Sequence, residues 1–109
     1  MADFTPGEVV LLAFPLADGS ATKRRPALVL LDAGDADVVV ARVTSQATRD
    51  RHDVTLSDWQ KAGLISPSVV RTAKVATLEK RLVERTLGKL SSADWSATLK
   101  TIRTLCSSL

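Results

Sequence analysis

The residues of this chain best suited to chemistry are cations and hydroxyls, and their neighbours decide how they are held. Lys23-Arg24-Arg25-Pro26 runs straight into Ala27-Leu28-Val29-Leu30-Leu31. Five apolar residues behind a proline predict a buried strand. Pro26 has no amide hydrogen and a fixed φ, so it suits the first residue of that strand. It also biases Arg25 towards an extended backbone. A guanidinium held at the mouth of a rigid element can offer its planar fork to a phosphate, and Lys23 and Arg24 add charge beside it. Three cations ahead of a strand also suit a solvated gatekeeper that guards a sheet edge. This stretch alone does not separate the two readings.

A second polar cluster lies at the end of another strand. Val38 to Thr44 (VVVARVT) is β-branched and apolar. Side chains alternate across a strand, so Val38, Val40, Arg42 and Thr44 share one face, and Val39, Ala41 and Val43 the other. Arg42 and Thr44 thus become neighbours, with Ser45 and Gln46 following as the strand runs out. Strands adjacent in sequence usually pair, which would bring this cluster beside Arg25.

The elements that must position these residues follow from the punctuation of the chain. Pro6-Gly7 marks a turn, Glu8–Phe14 (EVVLLAF) a first strand ended by Pro15, and Leu16–Thr22 a loop around Asp18-Gly19-Ser20. The second strand is predicted over Pro26–Asp32, a turn over Ala33–Asp37, and the third strand over Val38–Thr44. Ala47–Asp53 is a charged loop, and Val54-Thr55-Leu56 is long enough only for an edge strand. Ser57 suits the cap of a one-turn helix over Asp58–Ala62, with Gly63 as its left-handed stop and Trp59 and Leu64 closing over the core. Val69–Leu78 reads as a longer strand carrying Arg71 and Lys74. Leu82–Leu90 fits strand or helix, with Thr86 and Gly88 favouring strand. Ser91 with Asp94 three places on resembles a capping box. Trp95, Leu99, Ile102 and Cys106 then form the apolar face of a terminal helix, Cys106 serving as a small core residue. Short strands followed by one helix predict a mainly β, α+β fold: a strongly curved, half-open barrel of mostly antiparallel strands.

Composition narrows the function. The 109 residues suit a single domain over 1–109, and 45% hydrophobic with 25% charged residues is ordinary globular material. Fifteen Lys and Arg against twelve Asp and Glu give +3, which permits a polyanionic partner without demanding one. A lone cysteine excludes an internal disulfide and fits a reducing compartment. The start shows no signal-peptide pattern, and no apolar run reaches membrane-spanning length, so a cytoplasmic location with no membrane contact is expected. His, Cys and clustered acids are too few for a metal site, and no cofactor is expected. His52 lies in the charged stretch Arg49–Asp53 and is expected on the solvated surface.

Taken together, these pieces resemble the MazF/PemK group of toxins from bacterial toxin–antitoxin operons, nearly end to end. The likeness rests on Gly7-Glu8-Val9-Val10, Arg24-Arg25-Pro26-Ala27-Leu28-Val29, Ala41-Arg42-Val43-Thr44-Ser45-Gln46 and Gly63-Leu64. It continues through Ser68-Val69-Val70-Arg71, Lys74-Val75-Ala76-Thr77-Leu78 and Leu87-Gly88-Lys89-Leu90. The resemblance implies an SH3-like barrel, a homodimer, and a metal-independent endoribonuclease that cuts single-stranded RNA at short motifs, leaving 2′,3′-cyclic phosphate and 5′-hydroxyl ends. It implies Arg25 as catalytic arginine and Thr44 as the threonine that works with it. Ser45, Gln46 and Ser68 match positions lining the RNA groove, and Arg71 matches a basic residue of the PemK and Kid branch. That branch carries an aspartate two places later, where this chain has Ala73. Lys23, Arg24 and Arg42 join the expected RNA-binding set as phosphate contacts. The implied protein partner is an antitoxin with an acidic, partly disordered tail.

Two other classes share the expected fold. A gyrase poison of the CcdB type would end in Trp-Gly-Ile, whereas this chain ends Cys106-Ser107-Ser108-Leu109. A non-catalytic SH3-like module would present exposed aromatics, and this chain has two Phe, two Trp and no Tyr.

Overall fold

A computed structural model describes residues 3–15 and 22–109. The predicted Leu16–Thr22 loop lies, apart from Thr22, outside them. The elements run β1 (Glu8–Pro15), β2 (Thr22–Leu31), β3 (Asp37–Thr44), β4 (Asp53–Thr55), β5 (Val69–Glu79), a 3-10 turn (Lys80–Leu82), β6 (Val83–Lys89) and α1 (Ser92–Ser107). The strands form one sheet in the order β4-β5-β3-β2-β1-β6, antiparallel at every pairing. The curved sheet does not close on itself, as the sequence led us to expect.

Alternation along β2 and β3 divides the core between two faces. Leu28 opposite Ala41 belongs to a cluster with Val9, Val43, Val54 and Val70, which Trp59, Leu64 and Trp95 help to cover. Val29 opposite Val40 belongs to a second cluster with Val10, Leu12, Ala27 and Val38, against which Phe4, Leu78 and Leu82 pack. Every second residue therefore faces a different core, which is why these strands read as nearly continuous apolar runs.

Strand β5 changes environment halfway. Val69 to Thr72 are buried, whereas Ala73 to Thr77 are exposed. The change falls at a bulge: Arg42 of β3 pairs with Arg71, yet its neighbour Ala41 pairs with Val75. Three β5 residues, 72 to 74, are left unmatched there. A bulge of this kind bends a strand and re-aims its side chains. Beyond it, β5 has β3 on one side only, because β4 pairs only with residues 69 to 71.

Several expectations need correction. Strand β2 begins at Thr22, so Pro26 lies inside a strand instead of at its start. The proline is tolerated because only β1 pairs with β2 there, Pro26 standing opposite Leu11, while the β3 pairing begins at Ala27. The segment after Ser57 is a chain of hydrogen-bonded turns, not a helix, although Gly63 does stop it with φ near +79°. Its first amides are capped by Asp94, not by Ser57. Helix α1 is capped by the Ser91 hydroxyl as expected, but its fully buried residues are Asp94 and Thr98. Trp95, Leu99 and Ile102 are half-buried and Cys106 is exposed, because the buried face is rotated from the predicted stripe. His52 is half-buried rather than solvated, and its Nδ1 is out of solvent without a hydrogen-bond partner. Its carbonyl accepts from both the amide and the hydroxyl of Thr72.

Candidate active site

The pairing of β2 with β3 assembles the site. Ala27 stands opposite Arg42. Continuing that antiparallel register by two residues sets Arg25 across from Thr44, on the same face. Both side chains are half-buried and line one hollow of about 260 Å3 with Lys23, Ser45, Leu64, Ile65, Ser66 and Ser68. A second hollow, about 420 Å3, lies on the other side of Arg25 and Pro26. Arg42 and Lys74 bring cations to it, over a floor of Ala27, Val40, Val75 and Ala76. Lys74 reaches it from the bulge of β5, next to the switch from buried to exposed backbone. Among the described residues, no carboxylate or imidazole lines either hollow.

Positive charge converges here. Among the described residues, no hydrogen bond or ion pair engages the guanidinium of Arg25 or Arg42. Burial pushes the Arg42 guanidinium below the ordinary arginine value, and the charges of Arg25, Arg71 and Arg49 push in the same direction. It remains a cation at neutral pH. A site that gathers guanidinium groups against their own repulsion, in partial burial, is stabilised by an anion.

The hydroxyl of Thr44 is oriented by its own loop. Its Oγ1 accepts the amide of Gln46 at 3.2 Å, which leaves its hydrogen free to point into the hollow. Gln46 in turn accepts from Arg49 through Oε1, and the Arg49 amide donates to Asp53. Ser45 is exposed at the rim.

Three of the expected RNA-contacting residues already make hydrogen bonds within the fold, and two of them, Arg24 and Arg71, line neither hollow. Arg24 points away from both hollows, and its Nε donates to both carboxylate oxygens of Glu84 on β6 at 2.8 Å. The alternation that brings Lys23 and Arg25 to one face sends Arg24 to the other. Ser68 is buried, and its hydroxyl donates to the carbonyl of Ser66 at 2.9 Å. Arg71 is 3% exposed and lines neither hollow. Its guanidinium is held by Asp53 at 2.5 Å and by the Ala47 carbonyl at 3.3 Å.

The sequence did not single out the far wall of the smaller hollow, Leu64-Ile65-Ser66, nor Lys74 and Val75 in the larger one. Gly63 before the wall was a usable signal for a fixed turn. Nothing in the sequence tied that turn to Asp94. Among the described residues no group of three or more His, Cys, Asp or Glu gathers, and no helix is long and apolar enough to cross a membrane.

The sequence profile of the PemK-like, MazF-like toxins of type II toxin–antitoxin systems matches residues 5–106. The chain therefore belongs to the MazF/PemK toxin family, whose toxins are endoribonucleases. Solved structures agree on the fold. A chain of the MazE–MazF complex from Deinococcus radiodurans superposes with a TM-score of 0.76 at 26% identity, over 96% of this chain and 98% of that one. An endoribonuclease from a mycobacterial species, solved with its cognate antitoxin, gives 0.75 at 21% identity over 95% of each chain. The Mycobacterium tuberculosis toxin MazF-mt6 gives 0.71 at 22% identity, over 90% of this chain and 96% of that one. No match was found among curated proteins.

Proposed function

We propose that this chain cuts single-stranded RNA by internal transesterification, without a metal ion, and thereby blocks translation and growth when free of its antitoxin. The observation that carries this reading is the shared hollow of Arg25 and Thr44, where the Arg25 fork has no partner among the described residues. In the reaction the ribose 2′-oxygen bonds to the adjacent phosphorus and the bond from phosphorus to the 5′-oxygen breaks. One proton leaves the 2′-hydroxyl and one arrives on the 5′-oxygen. The products are a 2′,3′-cyclic phosphate and a 5′-hydroxyl.

Arg25 stabilises the charge that builds on the phosphorane oxygens, the role that fixed cationic donors perform best in a partly desolvated site. It also hands a proton to the leaving 5′-oxygen and recovers one from the 2′-hydroxyl. Its high pKa makes it a weak acid, so its larger contribution is electrostatic. Thr44 donates to a phosphate oxygen and fixes the scissile group against Arg25. Lys23 and Arg42 hold flanking phosphates, and Ser45 and Gln46 contact the strand at the rim. Arg24 and Arg71 contribute through field and architecture, and Ser68 through the wall of the smaller hollow.

The protein partner is an antitoxin whose acidic, partly disordered segment orders over the cationic hollows. Support comes from the converging positive charge and from relatives solved with their antitoxins. The chain acts as a homodimer. The half of β5 beyond its bulge pairs on one side only and so offers open backbone groups to a second copy.

The test is incubation of the purified protein with single-stranded RNA in excess chelator, followed by analysis of the new ends. Cyclic phosphate and 5′-hydroxyl ends are expected. Cleavage that stops in chelator, or that leaves 5′-phosphates, contradicts the proposal.

A further inference from the structure

Among the described residues, the smaller hollow's Leu64-Ile65-Ser66 wall carries the most exposed large apolar side chain short of the chain end. Ile65 is 97% exposed, yet it lines the same hollow as Lys23 and Arg25. An isoleucine left in water needs no explanation by itself. This one stands on a backbone fixed from both ends. Asp94, buried at the head of α1, accepts the amides of Ser57 at 3.0 Å and Asp58 at 2.8 Å through its two carboxylate oxygens. The turns that follow close with Leu64 N donating to the Trp59 carbonyl at 3.2 Å. Gly63 then lies so close to β6 that a Cβ there would meet the Leu87 carbonyl oxygen at 2.0 Å. The chain is clamped one residue before Leu64 and buried again at Ser68.

We infer that Ile65 is a specificity-determining residue: a fixed apolar shelf that seats the face of a nucleobase whose phosphate is held by Lys23 and Arg25. A nucleotide is anionic at one end and flat and apolar-faced at the other. This hollow offers cations on β2 and an aliphatic surface across from them. Single-strand recognition generally pairs such an electrostatic track with a surface for an unstacked base. Among the described residues no aromatic side chain lines either hollow, so an aliphatic shelf takes that place. The inference rests on the RNA-cutting reading and adds the residue that meets the base.

The experiment uses two ten-nucleotide probes with 2′-deoxy sugars, which bind without being cut: a random-sequence pool and an abasic oligomer of the same length. Binding is measured for wild type, Ile65→Ser and Ile65→Trp, and cut-site sequences are read separately from a random single-stranded RNA pool. Ile65 is fully outside the core, so neither variant disturbs folding. Ile65→Ser is expected to weaken the base-bearing probe by about tenfold while leaving the abasic probe unchanged. Ile65→Trp is expected to restore or tighten that binding, with tryptophan quenching, and to shift the base preferred at the cut. Equal loss on both probes, or no change on either with an unchanged cut-site profile, would overturn the inference while leaving RNA cutting intact. A wild-type protein that neither binds nor cuts RNA would remove the underlying reading as well.

Discussion

Asp53 and Arg71 form an ion pair 2.5 Å long, with 4% and 3% of their side chains exposed. The pair joins β4 to the first half of β5, with Arg71 opposite Arg42 on β3, two residues before Thr44. Removing one partner strands a buried charge, so Asp53→Ala is expected to cost about 3–5 kcal/mol of stability. Replacing both by apolar residues of similar volume should cost far less. Urea unfolding of the single and double variants measures the difference.

Stability should fall on acidification through Asp32. Its carboxylate is wholly out of solvent, lies 2.8 Å from Lys80 Nζ, and accepts the amides of Gly34, Phe4 and Asp3. The Lys80 ammonium, first, and these amides hold it well below the usual carboxylate range. A depressed folded-state value means a contribution present above the unfolded value, about 4, and lost as pH falls below it. Lys80 is raised by the same contact, so its contribution is present below its unfolded value and is lost at strongly alkaline pH. Thermal unfolding between pH 2 and pH 6 should show a wild-type decline that is shallower in Asp32→Asn.

The turn before the smaller hollow depends on glycine. Gly63 has φ near +79°, and an added Cβ would overlap the Leu87 carbonyl. Gly63→Ala is expected to cost about 3 kcal/mol, from left-handed strain and from backbone displacement. Because the displaced segment carries Leu64 and Ile65, cutting by the folded fraction should also slow. Activity measured against the folded population separates the two effects.

Arg42 has no counter-charge among the described residues, so its interaction with RNA should follow counterion release. Arg42→Ala should lower the slope of log affinity against log salt by about 0.7, the value for one phosphate on a single strand. Arg24→Ala should change it less, because Glu84 already neutralises that guanidinium. Titrations across a range of salt concentrations distinguish the two arginines.

Much of this was legible in the sequence. Alternation in Val38–Thr44 put Arg42 and Thr44 on one face, and adjacency of strands brought them to Arg25. Gly63 marked its turn through backbone conformation alone. What was not legible depends on contacts between distant segments. A run such as Lys23-Arg24-Arg25 gives no sign that the middle residue turns to Glu84. Arg71 and Lys74 look alike within one strand until the bulge between them buries one and exposes the other. Asp94 reads as the cap of its own helix, because a carboxylate reaching 36 residues back to Asp58 leaves no local signature. Cys106 misled for a related reason: a four-residue spacing predicts a stripe, but the packing of α1 against β4 and β5 selects which stripe is buried.

The central claim is that the Arg25 guanidinium, held across from the Thr44 hydroxyl, breaks the RNA backbone. Its most direct test is the single-turnover rate on one defined single-stranded RNA, compared between wild type and Arg25→Ala with folding verified. The account predicts a fall of about 10²–10³ in the Arg25→Ala rate, at RNA concentrations that saturate both proteins. Equal rates in the two proteins would contradict it.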